Sequence, residues 1–91
     1  KIVSAIDVDE LTATVYPNPA SNYFNISVNS NDVKERIVLK VFDQYGRLVE
    51  VINNAASGST VQLGDKYRAG VYYVKVMQGK QHKELKLIKM N

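Results

Sequence analysis

Chemistry needs convergent groups, and this chain of 91 residues offers few: one histidine, nine carboxylates and no cysteine. A hydrolase or transferase requires a nucleophile beside a base, or two carboxylates flanking a bond. His82 lies in a polar, basic stretch close to Gln78-Gly79-Lys80 and reads as an exposed surface residue rather than a base or ligand. Without thiolates and with a single imidazole, a zinc site would need carboxylates at unsuitable spacing. Two clusters carry the oxygen ligands of a calcium site, Asp7, Asp9 and Glu10, and Asn29, Asn31 and Asp32. Neither has the pattern or length of an EF-hand loop, and both read as solvated loops. The five glycines are spread one per turn, so no phosphate-cradling loop is present. A nucleic-acid surface interleaves basic residues with exposed aromatics, and Lys75 beside Tyr73 is a thin version of that. The expectation is a protein with no catalytic site, no metal, no cofactor and no nucleic-acid partner. One binding chemistry stays open as an alternative, an adhesion or carbohydrate-binding module whose six tyrosines line a sugar-stacking face, although no tryptophan accompanies them.

The elements that must position any site follow a period of two almost everywhere. Thr12 to Val15 reads as a short strand stopped by Pro17 and Pro19, since proline cannot donate to a ladder. Tyr23 to Val28 follows, with Phe24, Ile26 and Val28 on the buried face. Asn29 to Asp32 is a loop by composition, and Val33 to Arg36 a short turn. Ile37 to Phe42 and Arg47 to Ile52 form a hairpin around Asp43-Gln44-Tyr45-Gly46, where Asp43 accepts from turn amides and Gly46 supplies a positive φ. Asn53 to Ser59 reads as a loop and Thr60 to Leu63 as another short strand. Gly70 opens Val71 to Met77, whose core face carries Tyr72, Val74 and Val76. Gln78-Gly79-Lys80 is the last tight turn, and His82 to Met90 closes the chain. Seven strands, no helix and turns every 8 to 12 residues predict an all-β fold, an antiparallel β-sandwich of immunoglobulin-like architecture. A chain of this length suits one domain, with residues 1–10 as a linker or cleavage-proximal segment and 11–91 as the folded unit.

Charge is unevenly placed. Residues 1 to 65 hold five Lys/Arg against eight acids, whereas residues 66 to 91 hold seven against Glu84 alone. That basic third suits a solvated face and edge-strand lysines that block sheet-to-sheet aggregation, or, as a sharper reading, an acidic partner. No apolar run approaches the roughly 20 residues of a membrane helix. The start, Lys1 to Asp7, lacks a signal peptide's long apolar stretch, so the expectation is either a cytosolic chain or a piece of a larger exported precursor.

Four stretches taken in order carry a resemblance. They are Val15-Tyr16-Pro17-Asn18-Pro19-Ala20-Ser21, Val41 to Val49 with Asp43, Gly46 and Arg47, Ala69 to Val76 with Gly70 and Tyr72, and Lys86-Leu87-Ile88-Lys89. Over about residues 11 to 91 the chain resembles the C-terminal sorting domains, type A, of proteins exported by the type IX secretion system of Bacteroidetes. It departs at Tyr67, where the family usually has leucine, and at Arg68, where proline is usual. These changes bear on packing under the loop that precedes Gly70.

The resemblance implies a seven-stranded sandwich at the end of a cargo protein, which crosses the inner membrane by its own signal peptide. The implied partners are the upstream cargo domain, the outer-membrane translocon and a sortase-like cysteine protease that removes the domain and joins the cargo to anionic lipopolysaccharide. The implied route is the periplasm in transit, then the outer membrane and cell surface or the medium. On this reading Lys86, Leu87, Ile88 and Lys89 form the element read by the secretion machinery. Pro17, Asn18, Pro19, Asp43, Gly46, Arg47, Gly70 and Tyr72 fix turns and strand register. Leu87 and Ile88 then also pack, and the lysines also keep the edge soluble. Dimerisation through edge strands stays open.

Overall fold

A computed structural model describes residues 10–91. Asp7, Asp9 and most of the expected linker or cleavage-proximal segment lie outside the described residues. The described chain holds seven strands: β1 Thr12–Tyr16, β2 Phe24–Asn29, β3 Ile37–Asp43, β4 Leu48–Ala55, β5 Thr60–Leu63, β6 Gly70–Gln78 and β7 Gln81–Lys89. They form a three-stranded sheet in the order β1-β2-β5 and a four-stranded sheet in the order β4-β3-β6-β7, with every strand pair antiparallel. The two sheets face each other as an all-β, immunoglobulin-like sandwich, as the period-two pattern predicts. No described helix is long and apolar enough to cross a membrane.

The alternation sets the core. Phe24, Ile26 and Val28 of β2 face Ile37, Leu39 and Val41 of β3, Val74 and Val76 of β6, and Leu87 of β7, all fully buried. Leu11 joins them, and its amide is held by Gln81 Oε1 at 2.9 Å. Burying each such side chain contributes about 1.5–3 kcal/mol, so these rows determine which face of every strand turns inward.

Two of the differences from the sequence reading bear on the β3–β4 hairpin. Asn53 and Asn54 are strand rather than loop, because β4 continues to the buried Ala55, which pairs with Ile37. The register between β3 and β4 shifts twice, between Ile37 and Leu39 and between Val41 and Phe42, each time placing one extra residue on β4. Consecutive asparagines at a bulge have loop-like composition while the ladder runs on past them. The second difference is that Arg47 belongs to the turn, and the return strand starts at Leu48.

Between β5 and β6 a turn brings the Tyr67 amide to the Gly64 carbonyl at 3.1 Å. Gly64 has φ +94°, and a Cβ there would lie 2.7 Å from Cδ2 of the buried Phe24 ring. Gly64→Ala is therefore expected to destabilise the domain by about 1–3 kcal/mol through overpacking, with backbone strain added. Guanidinium unfolding of the two proteins measures it, and equal midpoints would contradict the packing described.

Candidate functional site

β7 is an edge strand, so one row of its backbone groups points away from β6. In the last part of the strand that row is fully occupied. Asn18 Nδ2 donates to the Lys86 carbonyl at 2.7 Å, and Asn18 Oδ1 accepts from the Ile88 amide at 2.9 Å. One step on, the Ala20 amide donates to the Ile88 carbonyl at 3.0 Å and the Met90 amide donates to the Ala20 carbonyl at 2.8 Å. Asn18 thus imitates a strand residue with its side chain, and Ala20 continues as a one-residue parallel bridge with Lys89. The prolines on either side keep this segment from joining a ladder through its own 17 and 19 amides, leaving Asn18 and Ala20 to supply the pairing. The Tyr16–Pro17 and Asn18–Pro19 bonds are both cis.

The four residues expected as the recognition element divide by face. Leu87 is fully buried, and Lys89 is only 5% exposed. The Lys89 ammonium donates to the Gly64 carbonyl and, at 3.1 Å, to the Tyr67 carbonyl, so it closes the turn between β5 and β6 from inside. A buried ammonium is costly unless hydrogen-bonded, and two carbonyls of one turn meet that need here. Lys86 and Ile88 point the other way, to solvent. Edge solubility therefore falls to Lys83 and Lys86, while Lys89 is an internal tie and Ile88 packs on nothing inside.

Tyr67 and Arg68, the two departures from the usual pattern, lie beside this tie. The Tyr67 ring packs against the core and on the Tyr72 ring, with centroids 4.7 Å apart, and its hydroxyl donates to Glu50 Oε1 at 2.7 Å. Burial, and then the neighbouring Glu50 carboxylate, push the Tyr67 hydroxyl pKa well above its ordinary value. Tyr72 donates its hydroxyl to the Arg68 carbonyl at 2.7 Å, the backbone tie that tyrosine corners make in sandwiches. Gly70 opens β6 between them.

The Asp43 turn forms as its composition predicts. The Gly46 amide donates to the Asp43 carbonyl at 3.0 Å, with Gly46 at φ +84°. Asp43 Oδ1 accepts from the amides of Tyr45 and Arg47 at 2.9 and 3.0 Å, and Oδ2 from Arg47 Nε at 2.8 Å. Arg47 also lies 5.5 Å over the Tyr45 ring. Donation from the Arg47 amide, then from the Tyr45 amide and the guanidinium, outweighs desolvation and holds the Asp43 carboxyl below its ordinary value. In the loop after β2, the buried Gln78 donates to the carbonyls of Asp32 and Glu35 and accepts from the Ser30 hydroxyl, a tie that nothing in the sequence marks.

Among the described residues no catalytic constellation emerges from this arrangement. His82 is exposed, and among the described residues no three metal-ligating side chains converge. The tyrosines do not share a face: Tyr67 and Tyr72 pack inward, Tyr16 belongs to the outside of one sheet and Tyr73 to the outside of the other. What the fold defines is a small sandwich built around a fastened terminal strand.

Comparison with known proteins gives that architecture its class. The family described as "Secretion system C-terminal sorting domain" matches residues 14–90, and the chain belongs to this family of type IX secretion sorting domains. Among solved structures it is similar to dimeric latent PorU from Porphyromonas gingivalis, with a TM-score of 0.60 at 19% identity. The match covers 99% of this chain and 10% of that one, so the chain spans about a tenth of the length of its structural relative. No curated protein matches.

Two measurements test the site. Lys89→Met keeps the stem but leaves two inner carbonyls without their donor, and is expected to cost about 1–3 kcal/mol, whereas Lys86→Met stays within about 0.5 kcal/mol. Chemical denaturation of both variants distinguishes them, and equal losses would show that Lys89 is not an internal tie. For Asp43 the folded pKa is depressed, so its contribution is fully present above the ordinary value and is lost as pH falls through the folded one. Asp43→Ala is expected to melt below wild type between about pH 5 and 7, with the gap closing below about pH 4. A gap that persists undiminished in acid would contradict the carboxylate's role.

Proposed function

We propose that this chain directs an N-terminally attached cargo protein through the outer-membrane translocon of the type IX system, reaching it from the periplasm. A sortase-like cysteine protease at the surface then removes the domain and joins the cargo to anionic lipopolysaccharide. The observation that carries the reading is the match of residues 14–90 to a sorting-domain family, on a chain whose described residues form a fastened sandwich. A label of this kind must fold by itself and keep one strand in a fixed, legible geometry, and the Asn18 and Ala20 pairing with β7 meets the second requirement. Within the expected recognition element, Lys86 and Ile88 are the residues presented for contact, and Leu87 and Lys89 hold them in place. The domain itself performs no step of the transfer. Cleavage falls in or before residues 1–10.

The test is a secreted reporter carrying an inner-membrane signal peptide and this chain at its end, expressed in a type IX-secreting bacterium. Export of the reporter to the surface or medium is expected, with retention in the periplasm when the chain or Lys86 to Asn91 is removed. Normal secretion of the truncated reporter would sink the reading. Mass spectrometry of the exported reporter gives its new C-terminus, and a terminus inside the sandwich would refute the cleavage position.

A further inference from the structure

The two outer faces of the sandwich are chemically unlike. Outside the three-stranded sheet stand Thr12, Thr14 and Tyr16 of β1, Asn25 and Ser27 of β2, and Thr60 and Gln62 of β5, with no charged side chain among them. Ser27 and Thr60 hydroxyls meet at 3.1 Å, and Gln62 Nε2 donates to Asn25 Oδ1 at 3.4 Å, so that face satisfies itself and water. Outside the four-stranded sheet the strand pairings align Leu48, Phe42, Tyr73 and Lys86 in one row, with Val71 and Ile88 beside it. Leu48, Tyr73 and Ile88 are 54%, 42% and 39% exposed. The next row reads Val51, Lys40, Lys75 and Glu84.

That second row is unusual. Lys40 and Lys75 are directly opposite across β3 and β6, a like-charge pairing that destabilises a sheet, and both are half-buried. Among the described residues the single ion pair is Arg47 with Asp43, so neither lysine has a carboxylate within salt-bridge reach. Between the rows lies a hollow of about 310 Å³ lined by Phe42, Tyr73, Lys75 and Glu84, with Gln44 and Gly46 at its end. An apolar, aromatic centre bordered by polar, net positive residues has the layout of an interface core and rim.

We propose that the outer face of the β4-β3-β6-β7 sheet docks a protein surface with an apolar centre and an acidic rim, one of whose apolar side chains fills the hollow beside Phe42 and Tyr73. The inference deepens the export reading and rests on it, since it assigns the face by which the folded domain is handled. A second copy fits less well than an acidic partner, because each face carries Lys40, Lys75 and Lys86 against Glu84 alone and two such faces repel. A lipid surface fits less well than a protein, because Glu84 stands in the same row as Lys75 and would be desolvated without a partner. Four strands about 4.8 Å apart and some seven residues at about 3.4 Å give a patch of roughly 400 Å² before side-chain relief. That is the scale of a transient engagement, suited to a domain that is passed on.

The test uses the same reporter with two variants of the face and one control. Leu48→Thr/Tyr73→Ser removes apolar surface. Lys40→Gln/Lys75→Gln removes the like-charge pair, so its melting midpoint is expected to equal or exceed wild type while export falls. Thr14→Lys on the opposite face is the control. The proposal expects roughly tenfold less export for each face variant, with folded reporter in the periplasm, and wild-type export for the control. Wild-type export of the charge variant, which has no reason to misfold, overturns it, as does equal loss in the control. Binding of the wild-type chain, lost in Tyr73→Ser, to phosphatidylglycerol vesicles would assign the face to lipid and overturn it. A dimer in sedimentation that Tyr73→Ser dissociates would assign it to a second copy and overturn it. If the wild-type reporter is not exported at all, the export reading fails and this proposal with it, which separates that failure from loss of the face alone.

Discussion

The structure depends on how its last strand is fastened. β7 completes the four-stranded sheet at an edge, where only one side of its backbone is paired by β6, and the unpaired side would ordinarily be open to any other chain. Asn18 and Ala20 occupy four successive groups of that side, and Lys89 reaches through the sandwich to the Gly64 turn. Each tie links residues far apart in sequence: 68 positions for Asn18 with Lys86, 70 for Asn18 with Ile88 and 25 for Lys89 with Gly64. Contacts of such separation carry a loop-closure cost that local hairpins do not. The sandwich is therefore incomplete as a packed object until β7 arrives, however well the earlier hairpins pair.

The same fastening explains why a basic strand does not behave as a uniform basic surface. Alternation along β7 sends Leu85, Leu87 and Lys89 inward and Glu84, Lys86 and Ile88 outward, so adjacent residues of one short motif do different work. Lys89 is spent on two backbone carbonyls, and its charge is screened from any outside partner. Lys86 joins Lys40 and Lys75 on the outer face, where three lysines face one glutamate. Within the motif at the end of β7 the pleat thus separates two lysines, Lys89 as an internal tie and Lys86 as part of an external patch.

Most of the fold was legible because strands announce themselves by period two and turns by their special residues. Seven strands, the Asp43 turn with its left-handed Gly46, and the core rows of β2 and β6 follow from pattern alone, whereas the face that β3 buries is decided by packing because Val38 and Phe42 make its other face apolar too. What stayed hidden depends on side chains that meet only in three dimensions. Nothing in Pro17-Asn18-Pro19 says that its amide pairs with residues 86 and 88, and the segment reads as a turn whose sole effect is on register. Lys89 reads as part of a recognition element, or as a lysine that keeps the edge soluble, because lysines are almost always exposed, and only the two carbonyls of the Gly64 turn make a buried ammonium tolerable. Asn53 and Asn54 mislead for a third reason, since a bulge has the composition of a loop while the ladder runs through it.

Fastening and presentation are one physical event in this fold. The outer row of Leu48, Phe42, Tyr73 and Lys86 draws on four strands, and it is a surface only while β7 keeps its register against β6. A slip of one residue would turn Leu87 and Lys89 outward and Lys86 and Ile88 inward, burying an ammonium without acceptors and exposing a core leucine. Lys89 penalises that slip from inside, and Asn18 penalises it from the edge by having donor and acceptor at a fixed spacing. Two independent locks on one register mean that the outer face exists in its correct form or not at all. That is the property a domain needs if its identity is to be judged by shape.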